Sequence, residues 1–494
     1  MPIKLQSFLF LVLAGASAAA TAQEPKTCPP ELAAEAPMVP LSIEHDDIVA
    51  GTLSFDQVRD FGRQLFVARF NRCDGAGRPA STGAGEKREV PLFSAEGELL
   101  TEGQVVHLRT SGPDAAACVG CHSLPETGGA GDFAANVFGL AGGLDPVTLS
   151  VGHARSVERN TPGVHGAGPI EMLAREMSRE LRQQAAAAPD GVRTLVSKGV
   201  AFVVEIVGGE VVRADGIDRD LVIKPFTQAG TVVSLREFSN NAMNLHHGMQ
   251  AEERFDLNPA KGFDPDFDED GVTRELTIGD QTAISLWQAQ LSTPTQVLPR
   301  GRAARDRIAR GASLFDEIGC SACHKPAMVL ESRLFVEPNP FNRPGTCAGA
   351  DEGCPPYAFD MTHTGERPRL EKGPAGTAIV RAYTDLKRHN LCDAPGTGAI
   401  RYYCNEQLDQ GRPVQDGRPG AEFFLTRKLW DVGSSAPYGH RGDIGTITEA
   451  VLYHGGEGRA SRDAFVARAV EEQKAVVDFL KSLQVVPQSE LVED

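Results

Sequence analysis

Cys118-Val119-Gly120-Cys121-His122 and Cys320-Ser321-Ala322-Cys323-His324 decide how this chain is read. Both have the form C-x-x-C-H, the attachment site of a c-type haem. Two thiolates three residues apart each add to one vinyl group, and the His that follows lies under the ring as a ligand of the iron. One such pentapeptide among 494 residues is compatible with accident; two in one chain imply two covalently bound c-type haems. Redox-active or zinc-binding C-x-x-C pairs are the competing reading.

The N-terminus agrees with the haem reading. Lys4 precedes an apolar run from Phe8 to Ala20, and Ala20-Thr21-Ala22 ends it with small residues. The run is too short to span a bilayer, so residues 1–22 read as a signal peptide. Export to the periplasm or beyond is expected, with no stable membrane insertion afterwards. A retained anchor is the alternative. Four of the ten cysteines go to haem, leaving Cys28, Cys73, Cys347, Cys354, Cys392 and Cys404. An even remainder in an oxidising compartment implies disulfides. Closeness in sequence pairs Cys347 with Cys354 and Cys392 with Cys404, which leaves Cys28 with Cys73. The formal charge of −17 argues against nucleic acid as a partner and favours a basic redox protein by steering. A small-molecule oxidant or reductant is the other class of partner.

A length of 494 residues exceeds one comfortable core. The expected fold is mainly α: two cytochrome c-like haem domains with long loops and a small inserted β-ribbon. Residues 23–295 form the first domain, with the first haem, the ribbon and an acidic loop. Residues 296–494 form the second, with the other haem. Apolar spacing predicts a helix over 55–66, one opened by Pro169, one over 302–318, and a last helix through Phe465, Val470, Val477, Phe479 and Leu480. The run 192–212 is rich in β-branched residues, and Gly208-Gly209 reads as a hairpin turn.

Two stretches carry further chemistry. Ser234-Leu235-Arg236-Glu237 is a capping box that starts a helix with Leu235, Phe238, Ala242, Leu245 and Met249 on one stripe. That helix carries His246 and His247, which are either ordinary polar residues near a helix end or distal ligands of the first haem. Asp264-Pro265-Asp266-Phe267-Asp268-Glu269-Asp270-Gly271 spaces carboxylates as in the first half of a calcium loop. Asp266, Asp268 and Asp270 are the candidate ligands. Position twelve is Thr277, so Glu275 or Asp280 has to close the site; a solvated acidic loop is the alternative.

Both haem motifs, Gly152-His153 with Arg159-Asn160-Thr161-Pro162, Ala436-Pro437-Tyr438-Gly439-His440, and the stretch from Thr448 to Glu457 together resemble the di-haem cytochrome c peroxidase superfamily. The resemblance is closest to its di-haem oxidoreductase, thiol oxidoreductase-like branch, and covers roughly residues 100 to 485. It implies that His454 stands where the peroxidases carry the Met ligand of their second haem, and that His153 stands where they carry a detachable distal His. His246 and His247 compete with His153. Replacing Met by His lowers the potential of that haem. His454 also ends a helix and precedes Gly455-Gly456, where backbone can pass close to a flat ring.

Two functions follow. One is an oxidoreductase that binds peroxide or another oxidant at the first haem, with Trp430 or Trp287 near the electron path and Glu171 or His165 as proton donor. The other is a non-catalytic electron carrier. An oxygenase acting on a bulky apolar substrate is a third possibility. Cys118→Ala or Cys320→Ala should each remove one haem mass from the denatured chain, and two haems retained in both variants would refute covalent attachment at these motifs.

Overall fold

A computed structural model of the chain describes residues 25–77, 115–132, 134–136, 158–255, 266, 270–337, 358–405 and 422–491. Its first half contains the helices α1 (His45–Val49), α2 (Phe55–Val67), α3 (Ala167–Ala187), α4 (Leu235–Ala242), α5 (Glu252–Phe255) and α6 (Ile278–Ala289). Its second half contains α7 (Arg302–Glu317), α8 (Ile447–Leu452), α9 (Arg459–Val466) and α10 (Val470–Lys481). The fold is helical with small sheets. Strands β1 (Ala134–Asn136) and β2 (Glu158–Asn160) pair antiparallel.

Each half is held by one helix crossing that needs a glycine. Helix α2 starts at a capping box in which Ser54 and Gln57 satisfy each other's backbone N–H. It buries Val58, Gly62, Leu65 and Phe66 against α6. Helix α6 starts at a matching box of Thr277 and Asp280. A methyl group at Gly62 would overlap the Ala283 carbonyl, so the two backbones touch there. Helices α7 and α10 repeat the arrangement: a Cβ at Gly311 would strike the Ala475 carbonyl. Leu314 and Phe315 of α7 and Val476, Phe479 and Leu480 of α10 fill the core around that contact.

The inserted ribbon is larger than expected. Strands β3 (Gly191–Ser197), β4 (Val200–Val207) and β5 (Glu210–Ala214) form a three-stranded antiparallel sheet. Its two turns are Lys198-Gly199 and the expected Gly208-Gly209, with positive φ at all four residues. Leu195, Phe202, Val204 and Ile206 face inward, while Val192, Val196 and Val207 face out. The larger core runs from Val39 to Trp430 and takes in Met328, Leu330, Phe335, Ala378, Val380 and Leu386. The smaller core is built from α7 to α10.

Three sequence expectations need correction. The last helix is two, α9 and α10, broken between Val466 and Val470, because the Phe465 and Phe479 faces meet one core from two directions. Pro169 is the third residue of α3 rather than its first; its missing N–H costs nothing in a first turn. Helix α4 stops at Ala242 and widens into a π-turn over Met243–His247. Two disulfides match expectation, Cys28–Cys73 and Cys392–Cys404. Cys347, Cys354 and the signal peptide lie outside the described residues.

Gly311→Ala should lower stability by about 1–3 kcal/mol through overpacking, although Gly→Ala in a helix ordinarily stabilises by roughly 0.5–1 kcal/mol. Denaturant unfolding measures it, and a gain in stability would mean that α7 and α10 do not touch at this point.

Candidate functional site

Both C-x-x-C-H motifs line one cavity of about 810 Å³. Each begins in a short 3-10 turn, Cys118–Gly120 or Cys320–Ala322, and the His backbone N–H donates to the carbonyl of the first Cys. All four motif thiols are unbridged, whereas Cys28, Cys73, Cys392 and Cys404 are paired. Burial pushes the Cys118 and Cys320 thiols up to about 12. A redox C-x-x-C motif needs the opposite, a thiol whose pKa is lowered toward neutrality. The environment of these two sulfurs is thus the opposite of the one a redox motif uses.

The second motif has a facing histidine. His324 directs Nδ1 to the Tyr383 and Arg427 carbonyls at 3.2 and 3.1 Å, and His454 directs Nδ1 to the Ala450 carbonyl at 2.7 Å. Such bonds leave Nε2 as the lone-pair nitrogen on each ring. The two ring centres are 6.4 Å apart. Two metal–nitrogen bonds of about 2.0 Å plus roughly 1.1 Å from each nitrogen to its ring centre make about 6.2 Å. One metal ion fits between them. Burial lowers the pKa of both rings, that of His324 to about 4 with His454 adding to the shift, so both are neutral at pH 7. Tyr403 packs on His454 and, with Tyr402 and Phe424, on His440.

At the first motif, burial and then His246 lower the His122 pKa to about 4. His247 is committed elsewhere: Nδ1 lies 2.6 Å from the Ala115 carbonyl, and Nε2 is 3.4 Å from the Cys118 sulfur. Of the two, His246 is thus the histidine that faces His122 electrostatically. The π-turn produces this difference, since it re-aims both side chains relative to α4. Leu235, Phe238, Ala242 and Leu245 line the cavity, so the apolar stripe read from the sequence covers the site. His153 lies outside the described residues.

The two motifs are tied through two distant loops. The Asn160 carboxamide donates to the Pro437 and Gly439 carbonyls at 2.6 and 3.1 Å, and the Asn160 N–H donates to the His440 carbonyl. Lys428 Nζ donates to the Gly163 carbonyl at 3.0 Å. Thr161, Pro162, Pro437 and His440 all line the cavity.

Residues 380–483 match the family model described as "Di-haem oxidoreductase, putative peroxidase". That segment carries His389, Trp430, the Pro437–His440 loop, His454 and Glu457, but neither C-x-x-C-H motif. Among solved structures, a MauG-like protein associated with microbial copper homeostasis is 15% identical, with 64% of this chain and 88% of that chain covered at a TM-score of 0.24. No curated protein matches the chain.

The family-matched segment supplies a site residue that sequence reading missed. His389 lines the cavity with Nε2 2.9 Å from Asp385 and Nδ1 2.7 Å from Glu457. Burial lowers its pKa, but Asp385 and Cys323 outweigh that and raise it to about 11. Its two carboxylate partners favour the protonated ring beside the second motif. Its only sequence signal was the i, i+4 spacing from Asp385. Glu171 and His165, expected as proton donors, do not line the cavity. Glu171 is fully buried, paired with Arg175 and accepting from the Leu235 N–H at 2.8 Å. The cavity carboxylates are instead Glu237, Glu253 and Glu457. Trp287 packs on Phe66, which packs on His122, and Trp430 is buried in the segment that holds His324.

In the acidic loop, Asp266 accepts from the Asp270 and Gly271 N–H groups, and Asp270 accepts from Val272. Asp268 lies outside the described residues. Asp280 is spent on the α6 cap and on Ile43, and Glu275 on Gln250. Among the described residues, no three potential ligand atoms converge at this loop.

His454→Ala should convert one low-spin haem to high spin and let it bind carbon monoxide when reduced, as followed by optical spectroscopy. His440→Ala should leave the spin state unchanged, and the reverse pattern would exchange the two roles.

Proposed function

We propose that the protein is an exported c-type di-haem oxidoreductase that acts on peroxide or a related oxidant at the first motif and exchanges electrons through the second. The single observation that carries this is that both C-x-x-C-H motifs open into one cavity, with the His454 imidazole facing His324 and with His246 in the cavity lining. The residues present fit two such groups: four unbridged thiols, two histidines fixed by backbone carbonyls or held neutral by burial, and apolar cavity walls. When bound, the haems supply one-electron redox chemistry.

The chain does the rest. Cys118 and Cys121, and Cys320 and Cys323, would hold the two haems, with His122 and His324 as neutral nitrogen donors. His454 would be the second nitrogen donor at the second motif, which suits electron exchange. His246 reaches the cavity from the π-turn and is the candidate second ligand at the first motif. Glu253 lines the cavity and is fixed by Arg236 Nε at 2.8 and 2.9 Å, which holds it in place. Glu237 is the remaining carboxylate on the first-motif side, with Oε2 accepting from the Val233 N–H at 2.8 Å. Trp287 and Trp430 stand beside the two motifs. Calcium in the acidic loop rests on one atom, the buried Asp270 Oδ2, which has no hydrogen-bond partner.

A carrier function is favoured by His246, because an imidazole on both sides of each motif would leave neither site open. The test is turnover of the fully haem-loaded protein with hydrogen peroxide and a reduced donor. Catalytic peroxide consumption, raised severalfold in His246→Ala, supports the enzyme. Absence of turnover in both proteins, with rapid electron exchange retained, supports the carrier.

A further inference from the structure

Behind the first motif, outside the cavity, three side chains from distant parts of the chain converge. Glu126 lies four residues past His122, His165 lies two residues before α3, and Glu366 comes from a loop of the second half. One ligand atom from each lies within 4.8 Å of the other two. None of the three lines the cavity.

Each side chain is held on one side and turned inward on the other. His165, whose side chain is 0% exposed, places Nδ1 2.8 Å from Ser292 Oγ. Its Nε2 has no hydrogen-bond partner and stands 3.9 Å from Glu126 Oε1, which also has none. That distance is too long for a hydrogen bond. Glu126 Oε2 accepts from the Gln488 N–H at 2.9 Å, and Glu366 Oε2 from the Ser292 N–H at 3.4 Å. Among the described residues neither carboxylate has a Lys or Arg ion pair; Arg59 and Arg63 act on Glu366 only through space. The Thr127 backbone, Asp431 and Lys428 also face the ring, the last two as charges of opposite sign. Burial raises both Glu pKa values, and Glu126 adds to the shift of Glu366, which reaches about 7. Two half-buried carboxylates without a cationic partner flank the fully buried, unpartnered Nε2 of His165.

We infer that Glu126, His165 and Glu366 form a binding site for a divalent transition-metal ion of the zinc class. Bonds of about 2.1 Å to three such ligands separate the ligand atoms by roughly 3.0–3.4 Å, so a modest inward movement closes the site. One imidazole with two carboxylates suits zinc, manganese or ferrous iron better than calcium, which takes oxygen ligands, or cuprous copper, which takes sulfur. The ion would staple the segment after the first motif to α3, to the second-half loop and, through Gln488, to the C-terminal tail. This inference does not depend on the proposed reaction.

The test uses the full-length, haem-loaded protein, stripped by chelator and titrated with zinc. One equivalent of zinc should bind and raise the melting temperature. Glu366→Gln, checked for an unchanged haem spectrum and a cooperative melt, should weaken binding by about tenfold or more. Zinc-edge absorption of the wild type should show one imidazole with oxygen ligands and no sulfur. The inference is overturned by no stoichiometric uptake, by uptake without a rise in melting temperature, by wild-type affinity in Glu366→Gln, or by sulfur or several imidazoles at the ion. Should Glu366→Gln fail to fold, the three wild-type measurements decide.

Discussion

The structure depends on one hydrogen-bonded junction, in which Asn160 holds the Pro437–His440 loop. Residues 277 and 279 positions apart meet there, and the Asn160 carboxamide donates to two carbonyls that the sequence leaves outside any helix or strand. Lys428 and Gly163 add a second tie a few residues away on both strands of the chain. The junction lies between the motif whose His122 faces the Pro162 backbone and the motif whose His324 bonds to Arg427. Without it, nothing local would require both motifs to open into one cavity.

Desolvation sets the chemistry on either side of that junction. The same burial that lowers the pKa of His122 and His324 to about 4 raises the Cys118 and Cys320 thiols to about 12. Neutral imidazoles are what metal ligation needs, and protonated thiols are what a redox disulfide motif cannot use. His389 is the exception, kept cationic by Asp385 against the cost of burial.

Spacing made the motifs, the crossing helices and the ribbon readable, because C-x-x-C-H, the 3.6-residue period and the Gly-Gly turn are all local patterns. What failed was non-local. Glu171 and His165 looked like acid–base groups, yet which side of α3 meets the cavity depends on the packing of α4 and α6 around it. Of the apolar stripe read from Leu235 to Met249, the residues up to Leu245 line the cavity while Met249 lies past the π-turn in the core, and periodicity does not say whether a face meets core or cavity. The π-turn at Met243–His247 separated His246 from His247, and no propensity marks it. His454 was read from the family resemblance, with a short helix and two glycines beside it, whereas His389 needed Glu457 from 68 residues away. The calcium reading treated Asp280 as free, while the capping box that occupies it was already present in Thr277 and Asp280.

The central claim is that two histidines enclose one iron at the second motif. Electron paramagnetic resonance of the oxidised full-length protein, with spins quantified against haem content, tests it directly. The account predicts a low-spin, bis-imidazole signal that accounts for one full haem equivalent. A high-spin signal for both haems, or a low-spin signal with no bis-imidazole component, would contradict it.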